Sequence, residues 1–155
     1  MPGITFSRGW EEDLLAQKKL QTIRANADNL MRNAGIKPRG RKYHLEYYDI
    51  AAAEEHLKYP LHPRNDTRLH IWLGNPRHMR HHPWVRKLGT STKKWYFYLL
   101  KGKHFTEDIA VRDGFGTVQE LKKGLGELNG GMTMAEVDEH IWAVIRWKWE
   151  EGPHA

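Results

Sequence analysis

Ile141-Trp142-Ala143-Val144-Ile145-Arg146-Trp147-Lys148-Trp149 places Ile141, Ala143, Ile145, Trp147 and Trp149 on one face of an extended chain and Trp142, Val144, Arg146 and Lys148 on the other. Side chains alternate with period two only in a strand, so this run predicts one long strand closing the domain. Earlier in the chain, Trp95-Tyr96-Phe97-Tyr98-Leu99-Leu100 is apolar on both faces and rich in aromatics, which predicts a central strand that Gly102 ends. Leu69, Ile71 and Leu73 alternate with His70 and Trp72, predicting a strand with one wetter face before Gly74-Asn75-Pro76 turns the chain. Between these strands Thr117 is placed to cap a helix, with Glu120 as its capping-box partner and Val118, Leu121, Leu125 and Leu128 on one face.

At the N-terminus, Ile4-Thr5-Phe6 is β-like and Ser7 is a candidate N-cap for a helix from Arg8 to Gln17. Trp10, Leu14 and Leu15 share one side of it. The acids at Glu11, Glu12 and Asp13 and the bases at Lys18 and Lys19 match the helix dipole. Lys19 to Arg24 reads as a short extended segment. Gly35, Pro38, Gly40, Pro60 and Pro63 chop the stretch that follows, so residues 25–66 read as an insertion or lid. The expectation is a single α+β domain over residues 1–155, its strands curled into a small mixed β-barrel with flanking helices.

The chain has 155 residues, no cysteine, and 7 Trp, 6 Tyr and 4 Phe, enough apolar material for one core. Without cysteine there is no disulfide framework, thiolate metal site or cysteine nucleophile, which fits a reducing compartment. No stretch approaches the roughly 20 apolar residues of a membrane span. A cytoplasmic protein without a membrane partner is the expectation. With 25 Lys and Arg against 19 Asp and Glu the net charge is +6, and base concentrates at 32–42 and 77–103. An anionic partner such as nucleic acid fits that distribution, and so does a merely solvated basic surface.

Three groups of residues carry possible chemistry. In Lys19-Leu20-Gln21-Thr22-Ile23-Arg24, alternation puts Thr22 and Arg24 on one face and Ile23 toward the core. A lysine with a lowered pKa can take the proton of a threonine hydroxyl, which is otherwise a weak nucleophile. The plain alternative is a surface Lys and Arg flanking a β-branched strand. Arg112-Asp113-Gly114-Phe115-Gly116-Thr117 sets a carboxylate before the later helix, or else forms an ordinary Asp-Gly turn. His78-Met79-Arg80-His81-His82-Pro83-Trp84 lacks the Glu that a metalloprotease helix carries, and Pro83 cuts any helix short. It reads as a basic loop, with Arg77 beside it as a substrate contact, and neither metal nor cofactor is expected.

Ile4-Thr5-Phe6, a helix leading to Lys19, the Gln21-Thr22-Ile23-Arg24 run and Asp113-Gly114-Phe115 before a helix together resemble the ASCH domain family of the PUA-like superfamily. Asp13-Leu14-Leu15-Ala16 through Thr22-Ile23-Arg24 is particularly similar to its small bacterial N(4)-acetylcytidine amidohydrolases. The resemblance covers about residues 4–24 and 67–149. It implies a small β-barrel and a metal-independent amide hydrolysis of an N(4)-acylated cytidine, with Lys19 as base, Thr22 as nucleophile and Asp113 as the completing carboxylate. Arg24 would bind the base carbonyl or a phosphate, and one of Trp72, Trp95 or Tyr98 would stack on the base, although such aromatics more often belong to the core. Those enzymes carry glutamate at the position of Asp113, one methylene or about 1.5 Å longer. Leu20 replaces a frequent threonine. The other classes in view are a non-catalytic module binding single-stranded RNA or DNA, and a ribonuclease.

Overall fold

The computed structural model describes residues 3–27 and 68–155. Of the expected insertion at 25–66, all but Ala25, Asn26 and Ala27 lies outside the described residues. Among the described residues seven strands form two sheets. The four-stranded sheet has the order β1 (Gly3–Phe6), β3 (His70–Leu73), β4 (Arg86–Ser91), β7 (Trp149–Glu151), with β1 parallel to β3 and the other pairs antiparallel. The antiparallel three-stranded sheet has the order β2 (Gln21–Arg24), β6 (Ile141–Arg146), β5 (Tyr96–Lys101). Helices α1 (Glu11–Leu15), α2 (Glu107–Arg112), α3 (Val118–Leu128) and α4 (Met134–Glu139) complete an α+β domain. Among the described residues no ladder joins the sheets into a closed barrel.

Alternation along β5 and β6 explains the layering. Phe97, Leu99, Ala143 and Ile145 point into a core shared with Ile4, Phe6, Ile71, Leu73 and Leu88 of the other sheet. Tyr98, Leu100, Trp142 and Val144 point the opposite way, into a second core with Ile109, Leu121, Leu125 and Val137 of the helices. The three-stranded sheet is thus the middle layer, dry on both sides. The run Trp95–Leu100 is buried on both faces, as its composition predicts, because β5 pairs with β6 and is covered by the layers above and below.

The long closing strand is corrected. It breaks after Arg146, and Trp149–Glu151 crosses to pair with β4 in the other sheet. Trp147, 3% exposed, turns into the intersheet core, with its ring 5.4 Å from that of Phe6. Alternation stays in phase through this switch, so the sequence pattern does not register it.

The expected helix from Arg8 to Gln17 divides into a 3-10 turn (Arg8–Trp10) and the five-residue α1. Gln17 adopts a left-handed φ of 56°, and the Lys18 and Lys19 N–H groups both return to the Asp13 carbonyl. This reversal sends Leu20 toward α2, where its N–H donates to the Arg112 carbonyl at 3.0 Å. Thr117 does cap α3, its hydroxyl accepting from the Glu120 N–H, but the Glu120 carboxylate takes the Gly116 N–H rather than closing the capping box. Leu128 is 75% exposed and not on the buried stripe, because α3 ends there at the domain edge. A reciprocal capping box sits instead on α4, between Thr133 and Glu136.

Candidate functional site

Strand β2 sorts its side chains by parity. Gln21 and Ile23 turn toward the helices, and Thr22, Ile23 and Arg24 all contribute to the lining of a pocket. On the helix side, α2 ends at Arg112, leaving Asp113 as its C-cap residue, and Gly114 turns away with φ +94°. Chain reversal after α1 delivers Lys19 to that end. Its ammonium donates to the Asp113 carbonyl at 2.7 Å and to the Asp113 carboxylate Oδ2 at 3.3 Å. Gln21 Nε2 donates to the other carboxylate oxygen at 3.3 Å and to the Ile109 carbonyl at 3.0 Å, while Gln21 Oε1 accepts from Arg146 Nε at 3.1 Å. A chain Arg146–Gln21–Asp113–Lys19 results, with both carboxylate oxygens engaged.

Lys19 and Asp113 are 2% and 3% exposed. Burial drives the Lys19 amine below its ordinary value against the attraction of Asp113, and the nearby Arg24 charge lowers it further. Burial drives the Asp113 carboxyl above its ordinary range, opposed by the Lys19 charge, the Gln21 hydrogen bond and Arg24. Proton affinities that are far apart in water are therefore drawn together, so a proton moves from the lysine or onto it at smaller free-energy difference. Burial also lowers Arg24, with Asp113 opposing.

The pocket beside this pair has a volume of about 290 Å³, near the bottom of the range for small-molecule sites. Phe6, Ser7 and Trp10 line it together with Thr22 and Arg24 of β2 and Leu125 and Leu128 of α3. Arg24 is anchored by Nη2 to the Thr5 carbonyl at 2.8 Å and stands 5.9 Å over the Phe6 ring. Phe6 and Trp10 connect pocket and buried pair, since the Lys19 ammonium lies 3.8 Å from the Trp10 ring centroid and 5.8 Å from that of Phe6.

The structure thus brings Lys19 against Asp113, to which its ammonium donates twice, and puts Thr22 and Arg24 together in the pocket lining. The stacking expectations are corrected. Trp95 and Tyr98 are 1% and 0% exposed, one in each core, and burial pushes the Tyr98 hydroxyl up to about 12. Trp72 lies on β3 opposite Lys87 and outside the pocket lining, and Arg77 sits on an exposed 3-10 turn (Pro76–His78), also outside it. The aromatics lining the pocket are Phe6 and the half-buried Trp10, which ends the 3-10 turn before α1. Sequence reasoning also missed Gln21. Its parity with Ile23 was the available signal, since a polar residue on a core-facing position needs a buried partner. His78, His81 and His82 are exposed, and among the described residues no group of three His, Asp or Glu converges as metal ligands. Among the described residues no helix is long and apolar enough to cross a membrane. Comparison with known protein families, curated proteins and solved structures finds no match.

Proposed function

We propose that this is an ASCH-like domain, its two facing sheets an opened form of the small barrel, and that its pocket takes a cytosine base whose N(4)-acyl group it hydrolyses. The observation that carries the reading is the buried Lys19–Asp113 pair, formed across 94 residues of sequence and joined through the Phe6 and Trp10 rings to a pocket that Thr22 and Arg24 help to line. In this reaction the Thr22 hydroxyl oxygen attacks the acyl carbonyl and its proton passes to the Lys19 amine. The carbonyl carbon–nitrogen bond then breaks, and the exocyclic amine leaves with the proton Lys19 returns. Water cleaves the threonine ester, releasing the carboxylate. Asp113 holds and tunes Lys19, and Arg24 faces the base carbonyl.

Incubation with N(4)-acetylcytidine, followed by chromatography of cytidine and acetate, tests this. Turnover should fall at least about a hundredfold in Thr22→Val and in Lys19→Met, each checked for folding. No turnover by the parent chain overturns the hydrolase. A second reading, a binding module without catalysis, is favoured by the direction of the Lys19 ammonium, whose hydrogen bonds point at Asp113 rather than into the pocket.

A further inference from the structure

We propose that the pocket is one end of a site for single-stranded nucleic acid, continued by a surface strip running from Arg8 across Trp84 and His82 to His78. The strip rests on the reading that the pocket accepts a base. Ser7 lines the pocket, and its neighbour Arg8 carries its guanidinium 5.6 Å over the Trp84 ring. The rings of Trp84 and His82 are 6.0 Å apart, and those of His82 and His78 are 6.2 Å apart. The root of this loop is tied to the pocket wall by the Gly74 N–H, which donates to the Phe6 carbonyl at 2.7 Å. One guanidinium and three neighbouring rings thus run in series away from Ser7 at the pocket.

Charge points the same way. Residues 67–106 carry 9 Lys and Arg and no Asp or Glu. Arg68, Arg86 and Lys101 of this segment are paired with Glu150, Glu11 and Glu139 from outside it. Arg8, Arg77 and Arg80 are exposed, and among the described residues none of them is in an ion pair. Positive charge alone would suit any polyanion. The interleaved Trp84, His82 and His78 rings select one with unpaired bases, because a base can stack on a ring only when its face is free. A free nucleoside would fill the pocket and leave the strip idle, and a duplex keeps its base faces covered.

Fluorescence anisotropy with a labelled twelve-nucleotide oligocytidylate, at several salt concentrations and fixed pH, tests the strip. Binding should weaken linearly in log–log salt, with a slope near −0.7 for each phosphate engaged on a single strand. The combined Arg8→Ala, Arg77→Ala and Arg80→Ala variant should bind at least about tenfold more weakly and lose about 2 from the slope magnitude. All three side chains are exposed, and an unchanged melting temperature should confirm that the variant folds. The proposal is overturned if the oligonucleotide does not bind, if the triple variant keeps the parent's affinity and slope, or if duplex or inorganic polyphosphate competes equally at equal charge. Deacetylation of free N(4)-acetylcytidine is followed in parallel. Turnover without oligonucleotide binding sinks the strip and leaves the hydrolase standing, whereas strip-dependent binding without turnover sustains the strip and sinks the hydrolase.

Discussion

Replacing Lys19 by Met removes the charge that most strongly offsets burial of the Asp113 carboxyl, leaving an acid that is 3% exposed with only Gln21 and Arg24 to help it. Folding already raises this acid above its ordinary 3.8, and the substitution raises it further. A group that binds its proton more tightly when folded contributes stability that is full below 3.8 and is lost as pH rises through the folded value. Lys19→Met should therefore become progressively less stable from acid to neutral pH. Isolating one charge of a buried pair costs about 3–5 kcal/mol, or roughly 6–20 °C in Tm for a domain of this size. Asp113→Asn inverts the slope. It strands a lysine whose pKa folding lowers from 10.5, and that contribution is present above 10.5 and lost as pH falls through the folded value. Its cost should be the smaller of the two, because the ammonium keeps the Asp113 backbone carbonyl at 2.7 Å, replaced by that of Asn, and the Trp10 face at 3.8 Å. Urea and thermal melts of the parent, both single variants and the double variant at pH 5, 7 and 8 complete the cycle. The double variant should recover most of the loss of Lys19→Met at pH 7. Equal melting of Lys19→Met and the double variant at pH 7, or a gap between them that narrows as pH rises, would refute the buried pair.

Gly114→Ala forces a side chain onto a residue at φ +94° and puts its Cβ 2.8 Å from Trp10 Cζ3, so it should cost about 1–3 kcal/mol in a urea melt and shift the Trp10 indole resonance. Leu14→Ala empties a fully buried site in the intersheet core, and a loss of about 2–5 kcal/mol is expected by denaturant titration. Thr133→Ala opens the α4 capping box, lowering stability by about 1 kcal/mol and Tm by roughly 2–4 °C in calorimetry.

Local pattern alone was enough for several elements. The alternation of Leu69, Ile71 and Leu73 marks β3, the spacing of Leu121 and Leu125 marks the inner stripe of α3, and the parity of β2 sends Ile23 into the helical core. Each rests on a repeat contained within a few residues, and that repeat states which sides of an element are dry. It does not state what covers them. Only the tertiary structure sets β5 between two cores, moves Trp149 to the opposite sheet, and puts Trp10 rather than Trp72 in the pocket lining. The helices α2 and α4 were illegible for a related reason, since six residues hold too few turns for a periodicity to emerge. Lys19 and Asp113 show the division most clearly. Their types were visible in the chain, but their contact spans 94 residues and depends on the reversal at Gln17 and the end of α2, two local geometries whose meeting is decided by how the layers pack.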